Sequence, residues 1–268
     1  MLALKLGPAL ACGGKSPLII CEDADVDFAV YVAHEAIFHN AAQNCIAASR
    51  TFVHAKIYDE FIKKSVALAK KRIVGDPFDA NTQQGPQINK DQFQKILNYV
   101  ELGKKAGAKL ECGGEKINDK GYFIKPTVFS SVTDDMKIAR EEIFGPVMCV
   151  LKFDSYDEVI ERANATNFGL VAGVITKDLT RALKFVQELQ AGSVWVNTYA
   201  AMKFHAPFGG FKQSGIGREL ESPLKIMEAI EMIRKIHLLA TTKQSKLHQL
   251  INELESGLTD VYINSTVN

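Results

Sequence analysis

Short apolar runs alternate with amphipathic segments through most of this sequence, and that alternation constrains the fold more than any other feature. The apolar runs are typical of buried strands, and the segments between them carry apolar side chains at helical spacing. Predicted strands are 16–21, 50–55, 122–129, 147–153, 170–176 and 193–197, and predicted helices are 26–39, 58–69, 93–100, one from 156, and 178–190. Strands that alternate with helices favour an α/β fold, so we expect a mostly parallel sheet flanked by helices.

The character of the chain changes near residue 218. A glycine-rich stretch, PFGGFKQSGIG, covers 207–217, and helix-forming residues with apolar stripes follow from 220 onward. We therefore expect a main α/β domain over 16–218, a short preceding segment over 1–15, and a helical C-terminal tail over 219–268.

Charge and apolar content exclude several kinds of partner. The net charge of +1 argues against nucleic acid, which requires a basic face. No run approaches about 18 apolar residues, so we expect no membrane span. The apolar start of the chain is broken by lysine, glycine and proline, which disfavours a signal peptide. Five scattered cysteines without a CxxC pair are typical of reduced thiols, so we expect a cytoplasmic protein.

One cysteine lies in a segment suited to nucleophilic chemistry. Cys45 stands in NAAQNCIAASR (40–50), among small residues that leave room for a substrate carbon to reach the sulfur. A nearby helix N-terminus is expected to lower its thiol pKa and to supply amide donors for an oxyanion. The same pattern also fits a small, buried core cysteine. A cysteine–histidine protease pair stays open as well, because such pairs are spatial and spacing does not reveal them.

Seven further motifs occur together and in order. They are CGGKSP (12–17), QGPQI (84–88), GYFIKPTVF (121–129), EEIFGPV (141–147), NFGLVAGV (167–174), AGSVWVN (191–197) and PFGGFKQSGIGRE (207–219). Through them, about residues 8–220 resemble the aldehyde dehydrogenase superfamily, in particular the cytosolic class that includes retinal dehydrogenases. The NCIAA loop is also similar to the aldehyde dehydrogenase domain of 10-formyltetrahydrofolate dehydrogenases. The resemblance implies that family's catalytic-domain fold and the NAD- or NADP-dependent oxidation of a small-molecule aldehyde to a carboxylic acid.

The resemblance also implies roles for individual residues. Cys45 falls on the nucleophile that attacks the aldehyde carbon and carries the acyl group as a thioester after hydride has left to the nicotinamide. Glu142 matches the glutamate that hydrogen-bonds the nicotinamide ribose, and Phe144 matches the aromatic beside the ring. Taken alone, Glu142 also fits a solvated helix start and Phe144 a core residue. Asn197 and Phe208 correspond to scaffold or substrate-pocket positions, and core packing is the favoured expectation for both.

Two departures from the family pattern predict weak or absent activity. The pattern LELGGK reads LACGGK over 10–15, so Ala11 stands where the family has its general-base glutamate, and losing such a base costs roughly 10²–10⁴ in rate. No GxGxxG occurs, and on the resemblance 1–15 is interpreted as a remnant of the linker from the cofactor domain. We therefore expect poor binding of NAD or NADP, and the tail over 219–268 does not match the family.

An alternative function comes from a different class of protein. An α/β domain without its companion domain is expected to expose an apolar patch larger than a monomer tolerates. The alternative is therefore a non-catalytic homologue that forms a homo-oligomer or associates with full-length aldehyde dehydrogenase subunits or other proteins.

Overall fold

The computed structural model describes residues 13–117, 120–202 and 206–218, and the expectations for Ala11 and for the tail over 219–268 lie outside these residues. Within the described ranges, residues 13–202 and 208–218 belong to one compact unit. Its elements are β1 (Pro17–Ile20), α1 (Val26–Phe38), β2 (Arg50–His54), α2 (Tyr58–Lys71), α3 (Lys90–Lys105), β3 (Lys109–Cys112), β4 (Thr127–Ser130), α4 (Lys137–Arg140), β5 (Val147–Phe153), α5 (Tyr156–Asn164), β6 (Phe168–Gly169), β7 (Val171–Ile175), α6 (Leu179–Glu188), β8 (Ser193–Val196) and β9 (Phe211–Lys212).

A seven-stranded sheet forms the centre of this unit, with its strands in the order β3-β4-β5-β2-β1-β7-β8. Every neighbouring pair is parallel except β3 and β4, which run antiparallel at one edge. The short strands β6 and β9 pair with each other, also antiparallel. The fold is therefore α/β with a mostly parallel sheet flanked by helices, as the alternation in the sequence predicts.

Helices cover both faces of the sheet, which explains why its central strands are almost entirely apolar. Successive side chains of a strand point to opposite faces, and β1 shows this directly. Leu18 and Ile20 pack with α1 and α2 on one face, while Ile19 packs with α3, α5 and α6 on the other. Among the described residues, no helix combines the length and the apolar composition needed to cross a bilayer.

Local sequence signals explain where several helices begin. The Asp25 side chain caps α1 by accepting a hydrogen bond of 2.9 Å from the backbone N–H of Phe28. Ser155 and Glu158 form a capping box at the start of α5. Such caps satisfy backbone N–H groups that have no partner within the helix, so they fix the boundary.

The predicted strand over 122–129 was wrong in its extent. Only Thr127–Ser130 pair in the sheet, and ahead of them Ile124 makes one isolated bridge to Lys116. Pro126 has no N–H to donate to a neighbouring strand, which accounts for the break before Thr127. The edge strand β3, with its charged and partly exposed residues, was not predicted.

Candidate active site

Three segments that are far apart in the sequence meet at the amino edge of the sheet. Residues 13–16 lead into β1, 44–49 lead into β2, and 142–146 lead into β5. These three strands are neighbours and parallel, so the segments that precede them are also neighbours. The fold thereby brings Cys45 and Glu142, both singled out in the sequence, to the same edge.

Two glycines make the contact between these segments. The backbone N–H of Gly14 donates a hydrogen bond of 3.0 Å to Oε1 of Glu142. A Cβ atom on Gly14 would lie only 2.4 Å from the carbonyl oxygen of Cys45, and one on Gly13 would lie 2.8 Å from Oε2 of Glu142. Real Cβ atoms do not approach a backbone oxygen this closely, so only glycine at position 14 lets the Cys45 loop approach this segment.

A left-handed turn separates α1 from Cys45. Asn40, Ala41 and Ala42 have φ angles of 51°, 53° and 57°. Left-handed backbone brings Cβ close to the following carbonyl oxygen and costs about 1–2 kcal/mol for an ordinary L-residue. Asparagine tolerates this region, but two successive buried alanines do not favour it. The surrounding packing therefore holds the approach to Cys45 in a strained conformation.

We expect Ala42→Gly to change the free energy of unfolding by less than about 0.5 kcal/mol. Relief of the left-handed strain, about 1–2 kcal/mol, offsets the loss of a buried methyl, about 0.8 kcal/mol, and the greater freedom of glycine in the unfolded chain, about 0.5–1 kcal/mol. The control is Ala33→Gly, equally buried but inside α1, which is expected to lose about 1.5–2 kcal/mol. Urea denaturation measures both variants, and equal losses would contradict the strain.

Beyond the left-handed turn, Cys45 itself lies in a tight turn closed by Asn44. The side-chain Oδ1 of Asn44 accepts a hydrogen bond of 3.2 Å from the backbone N–H of Ile46 and lies 3.9 Å from Sγ of Cys45. Further along, the N–H of Ala48 donates to the carbonyl oxygen of Ala36 at 3.0 Å, which ties the segment back to α1. The thiol is half-buried.

The electrostatic surroundings of Cys45 do not favour its thiolate. Burial raises the pKa of the thiol, and the negative charge of Glu142 raises it further. The expectation that a helix N-terminus lowers the pKa of this thiol was wrong. The helix that leads to this segment, α1, presents its C-terminal end to it. Burial also raises the pKa of Glu142, against the lowering effect of the Gly14 N–H. Burial and the Glu142 carboxylate therefore favour the neutral form of the Cys45 thiol. A neutral thiol has to lose its proton to a base before the sulfur can act as a nucleophile.

We expect Glu142→Gln to lower the pKa of the Cys45 thiol, because it removes the charge that raises this pKa. A glutamine oxygen still accepts from Gly14, so the fold is retained. The pH profile of iodoacetamide labelling, read at Cys45 by mass spectrometry, should shift to lower pH, and labelling near neutral pH should become faster. Glu141→Gln alters the neighbouring exposed carboxylate and serves as the control. A profile for Glu142→Gln that matches this control would refute the coupling.

The turn that carries Glu142 and Phe144 is held by α3. Phe144 is partly buried and has a φ of 58°, again in the left-handed region. The amide Nε2 of Gln92 donates to the carbonyl oxygens of Ile143 and Phe144 at 2.9 and 3.0 Å. A cavity of about 10 Å³ lies between this turn and the Cys45 loop, and its lining includes Gly14. Such a cavity has room for about one water.

Sequence reasoning missed one side chain at the site. The hydroxyl of Tyr199 donates a hydrogen bond of 2.8 Å to the carbonyl oxygen of Ile46, the residue directly after Cys45. Nothing in the local sequence distinguishes this tyrosine from a surface residue, because the contact spans 153 positions.

The prediction of core packing was wrong for Asn197, which is exposed. Phe208 is partly buried and packs against Leu170 and its neighbours.

A groove runs along α1 beside Tyr199. Its volume is about 430 Å³, within the range of small-molecule sites. The walls are mainly aromatic and aliphatic, with one carboxylate and one imidazole. They comprise Phe28, Tyr31, Val32, Glu35, Ala36, His39, Asn197, Thr198, Tyr199 and Ala200. Tyr199 therefore lines the groove and also contacts the Cys45 loop through its hydroxyl.

The chain was compared with known proteins. Residues 7–233 match the sequence profile of the aldehyde dehydrogenase family. Over 211 residues the chain is 61% identical to human retinaldehyde dehydrogenase 3 and 58% identical to the rat protein named "Aldehyde dehydrogenase, cytosolic 1". These alignments cover 79% of this chain but only 41% and 42% of the two relatives, so the chain spans about two fifths of their length.

Solved structures give the same result. An NAD⁺ complex of aldehyde dehydrogenase from Bacillus cereus superposes with a TM-score of 0.77 at 51% identity, covering 78% of this chain and 43% of that one. An NAD-dependent aldehyde dehydrogenase from Sinorhizobium meliloti superposes with a TM-score of 0.76 at 42% identity. That alignment covers 78% of this chain and 41% of the other.

Proposed function

This chain belongs to the aldehyde dehydrogenase family, and from that premise we propose that it carries the nucleophile of an NAD- or NADP-dependent aldehyde oxidation through Cys45. The observation that supports the proposal is the contact of Gly13 and Gly14 with both the Cys45 loop and Glu142. This contact places a partly accessible thiol, a half-buried carboxylate and a small cavity together at one edge of the sheet. A free cysteine with only a packing role needs none of these.

In the proposed reaction, Cys45 Sγ attacks the carbonyl carbon of an aldehyde and forms a carbon–sulfur bond. The thiol first loses its proton to solvent, because the thiolate is the nucleophile, and the π electron pair of the C=O bond moves to the oxygen as the carbon–sulfur bond forms. The backbone N–H of Cys45 is then a donor for the oxygen on which negative charge develops. The groove beside Tyr199 supports an aldehyde with an apolar body, since its walls are mainly aromatic and aliphatic.

The residues present fit one end of a nicotinamide cofactor. Glu142 offers a carboxylate acceptor for a ribose hydroxyl, and Phe144 offers an aromatic side chain two positions along the same turn. When bound, NAD or NADP supplies the acceptor for the hydride of the substrate. No GxGxxG is present in the sequence to hold the pyrophosphate, so we expect the isolated chain to bind the cofactor poorly. With Ala11 in place of a base, it is also expected to be a weak or inactive catalyst by itself.

Acylation by an activated ester tests the role of Cys45 without any cofactor. The chain is incubated with p-nitrophenyl acetate, release of p-nitrophenolate is followed, and the acetylated residue is located by mass spectrometry. Acetyl is expected on Cys45, and Cys45→Ser should remove it. Cys112→Ser, which alters the other half-buried thiol among the residues that the structure describes, should not. Acetyl found first on Cys112 would overturn the proposal.

The non-catalytic alternative has one observation in its favour. Phe78 and Ile88, both in the loop between α2 and α3, are 97% and 77% exposed. Exposed apolar side chains of this size favour association with another protein surface. Sedimentation of the purified chain, alone and mixed with a longer relative, distinguishes the two functions: stable association together with no acylation of Cys45 would favour the alternative.

A further inference from the structure

Asn197, the residue that follows β8, is hydrogen-bonded through its side-chain amide to Thr176, the residue that follows β7. Oδ1 of Asn197 accepts from the backbone N–H of Thr176 at 3.0 Å, and its Nδ2 donates to the carbonyl oxygen of Thr176 at 2.9 Å. Asn197 adopts a left-handed φ of 53°, which asparagine tolerates better than most residues. Its side chain thus makes the two hydrogen bonds that the backbone of one more β8 residue would make. These bonds fix the position at which the chain leaves the sheet.

Tyr199, two residues further on, is therefore directed back over the sheet. A Cβ atom on Gly173 of β7 would lie 2.7 Å from the Tyr199 ring, so the ring rests on backbone where no side chain stands. Trp195, which pairs with Gly173 on the neighbouring strand β8, also contacts the ring, with centroids 4.9 Å apart. An aromatic ring confined in this way has few alternative positions, and it aims its hydroxyl at Ile46.

Ile46 is thus held at both of its backbone polar groups. Its N–H donates to Oδ1 of Asn44, and its carbonyl oxygen accepts from the Tyr199 hydroxyl at 2.8 Å. On the other side of the loop, Gly14 lies against the carbonyl oxygen of Cys45. The two peptide units that follow the Cys45 side chain are therefore held by contacts from three separate parts of the chain.

We propose that Tyr199 is a positioning residue for the nucleophile, held in place by Asn197. Its hydroxyl fixes the Cys45–Ile46 segment so that Sγ and the backbone N–H of Cys45 are presented together to one carbonyl group. This inference rests on the proposed role of Cys45 and adds that the orientation of the loop depends on a hydrogen bond from the segment that follows β8. A tyrosine that only lines the groove would need its ring but not its hydroxyl.

Tyr199→Phe separates these roles, because it keeps the ring and removes only the hydroxyl. Tyr58→Phe is the matched control: the Tyr58 hydroxyl is also hydrogen-bonded, donating to Val150 O and accepting from Ser131 N–H, but it lies between α2 and the sheet. Asn197→Gly is a second variant, which retains the left-handed backbone and removes the amide.

Hydrogen exchange tests the positioning independently of any chemistry. In the native chain the N–H groups of residues 46–49 are all hydrogen-bonded within the loop or to α1. We expect these amides to exchange severalfold faster in Tyr199→Phe and in Asn197→Gly, and to remain unchanged in Tyr58→Phe. Unchanged exchange in Tyr199→Phe, or an equal rise in the Tyr58 control, would overturn the inference even if Cys45 proves unreactive.

Acylation by p-nitrophenyl acetate tests the consequence for the thiol. Loss of one net hydrogen bond at the loop should lower the maximal acylation rate of Cys45 about three- to tenfold. The ester concentration at half-maximal rate should not change, because the groove keeps its ring. A native rate in Tyr199→Phe would overturn the inference while leaving the role of Cys45 intact. No acetyl on Cys45 in the native chain would instead count against the proposed function, and the exchange experiment would then decide the inference.

Discussion

Ala11→Glu is expected to raise steady-state aldehyde oxidation by about 10²–10⁴ once the chain is fused behind the preceding part of a longer relative. That fusion supplies the dinucleotide-binding half and the oxyanion asparagine that the family resemblance implies. In the proposed reaction, acylation depends on Cys45 and the oxyanion donors, so the fusion with Ala11 should still complete one turnover. Release of the acyl group needs a water activated by a base, and the methyl group of alanine accepts no proton.

The two variants should therefore differ in the shape of their time courses. With Ala11, reduced cofactor should form in a burst of at most about one per site, followed by a slow phase. With Glu at this position the slow phase should accelerate far more than the burst. Rapid steady turnover with Ala11 in place would mean that another group acts as the base. A missing burst in both fusions would locate the fault in Cys45 or in the loop that carries it.

Gly14→Ala is expected to lower the acylation rate of Cys45 by about 10²-fold. The added methyl would lie 2.4 Å from the carbonyl oxygen of Cys45, well inside van der Waals contact, so the loop has to move. A misplacement of about 1 Å at a reacting group costs on this order, because the attacking atom leaves its near-attack geometry. The p-nitrophenyl acetate assay measures the loss in the chain as it stands.

Gly85→Ala is the matched control for this substitution. A Cβ atom on Gly85 meets no atom within 4 Å, so this variant is expected to acylate at the native rate. Circular dichroism of both variants establishes whether Gly14→Ala still folds. A folded Gly14→Ala chain that acylates at the native rate would show that the contact between Gly14 and Cys45 has no part in positioning the thiol.

The fold was predictable because its signals are local. Apolar runs flanked by amphipathic segments gave the α/β class, and Val147–Phe153 was predicted to the residue. Prediction failed where the deciding feature is not a repeated pattern. The edge strand Lys109–Cys112 is short, polar and paired on one side, so it has no buried-strand signature.

The site was only partly predictable for a related reason. Family resemblance singled out Cys45 and Glu142, and the fold brings both to the same edge of the sheet. Neither the raised pKa of the thiol nor the contact of Tyr199 with Ile46 was visible in the sequence, because burial and a contact across 153 positions are properties of the assembled sheet. The left-handed alanines 41 and 42 were equally hidden, since alanine carries no signal for that conformation.

The meeting of three distant segments at the amino edge also determines when during folding the thiol acquires its surroundings. The hydrogen bond from Gly14 to Glu142 spans 128 residues, and contacts of such separation form late because loop closure must precede them. During synthesis, Cys45 leaves the ribosome long before β5, which places Glu142 beside it. Until β5 pairs with β2, Cys45 has the ordinary reactivity of an unfolded thiol. The nascent chain has no formed site for a substrate to bind.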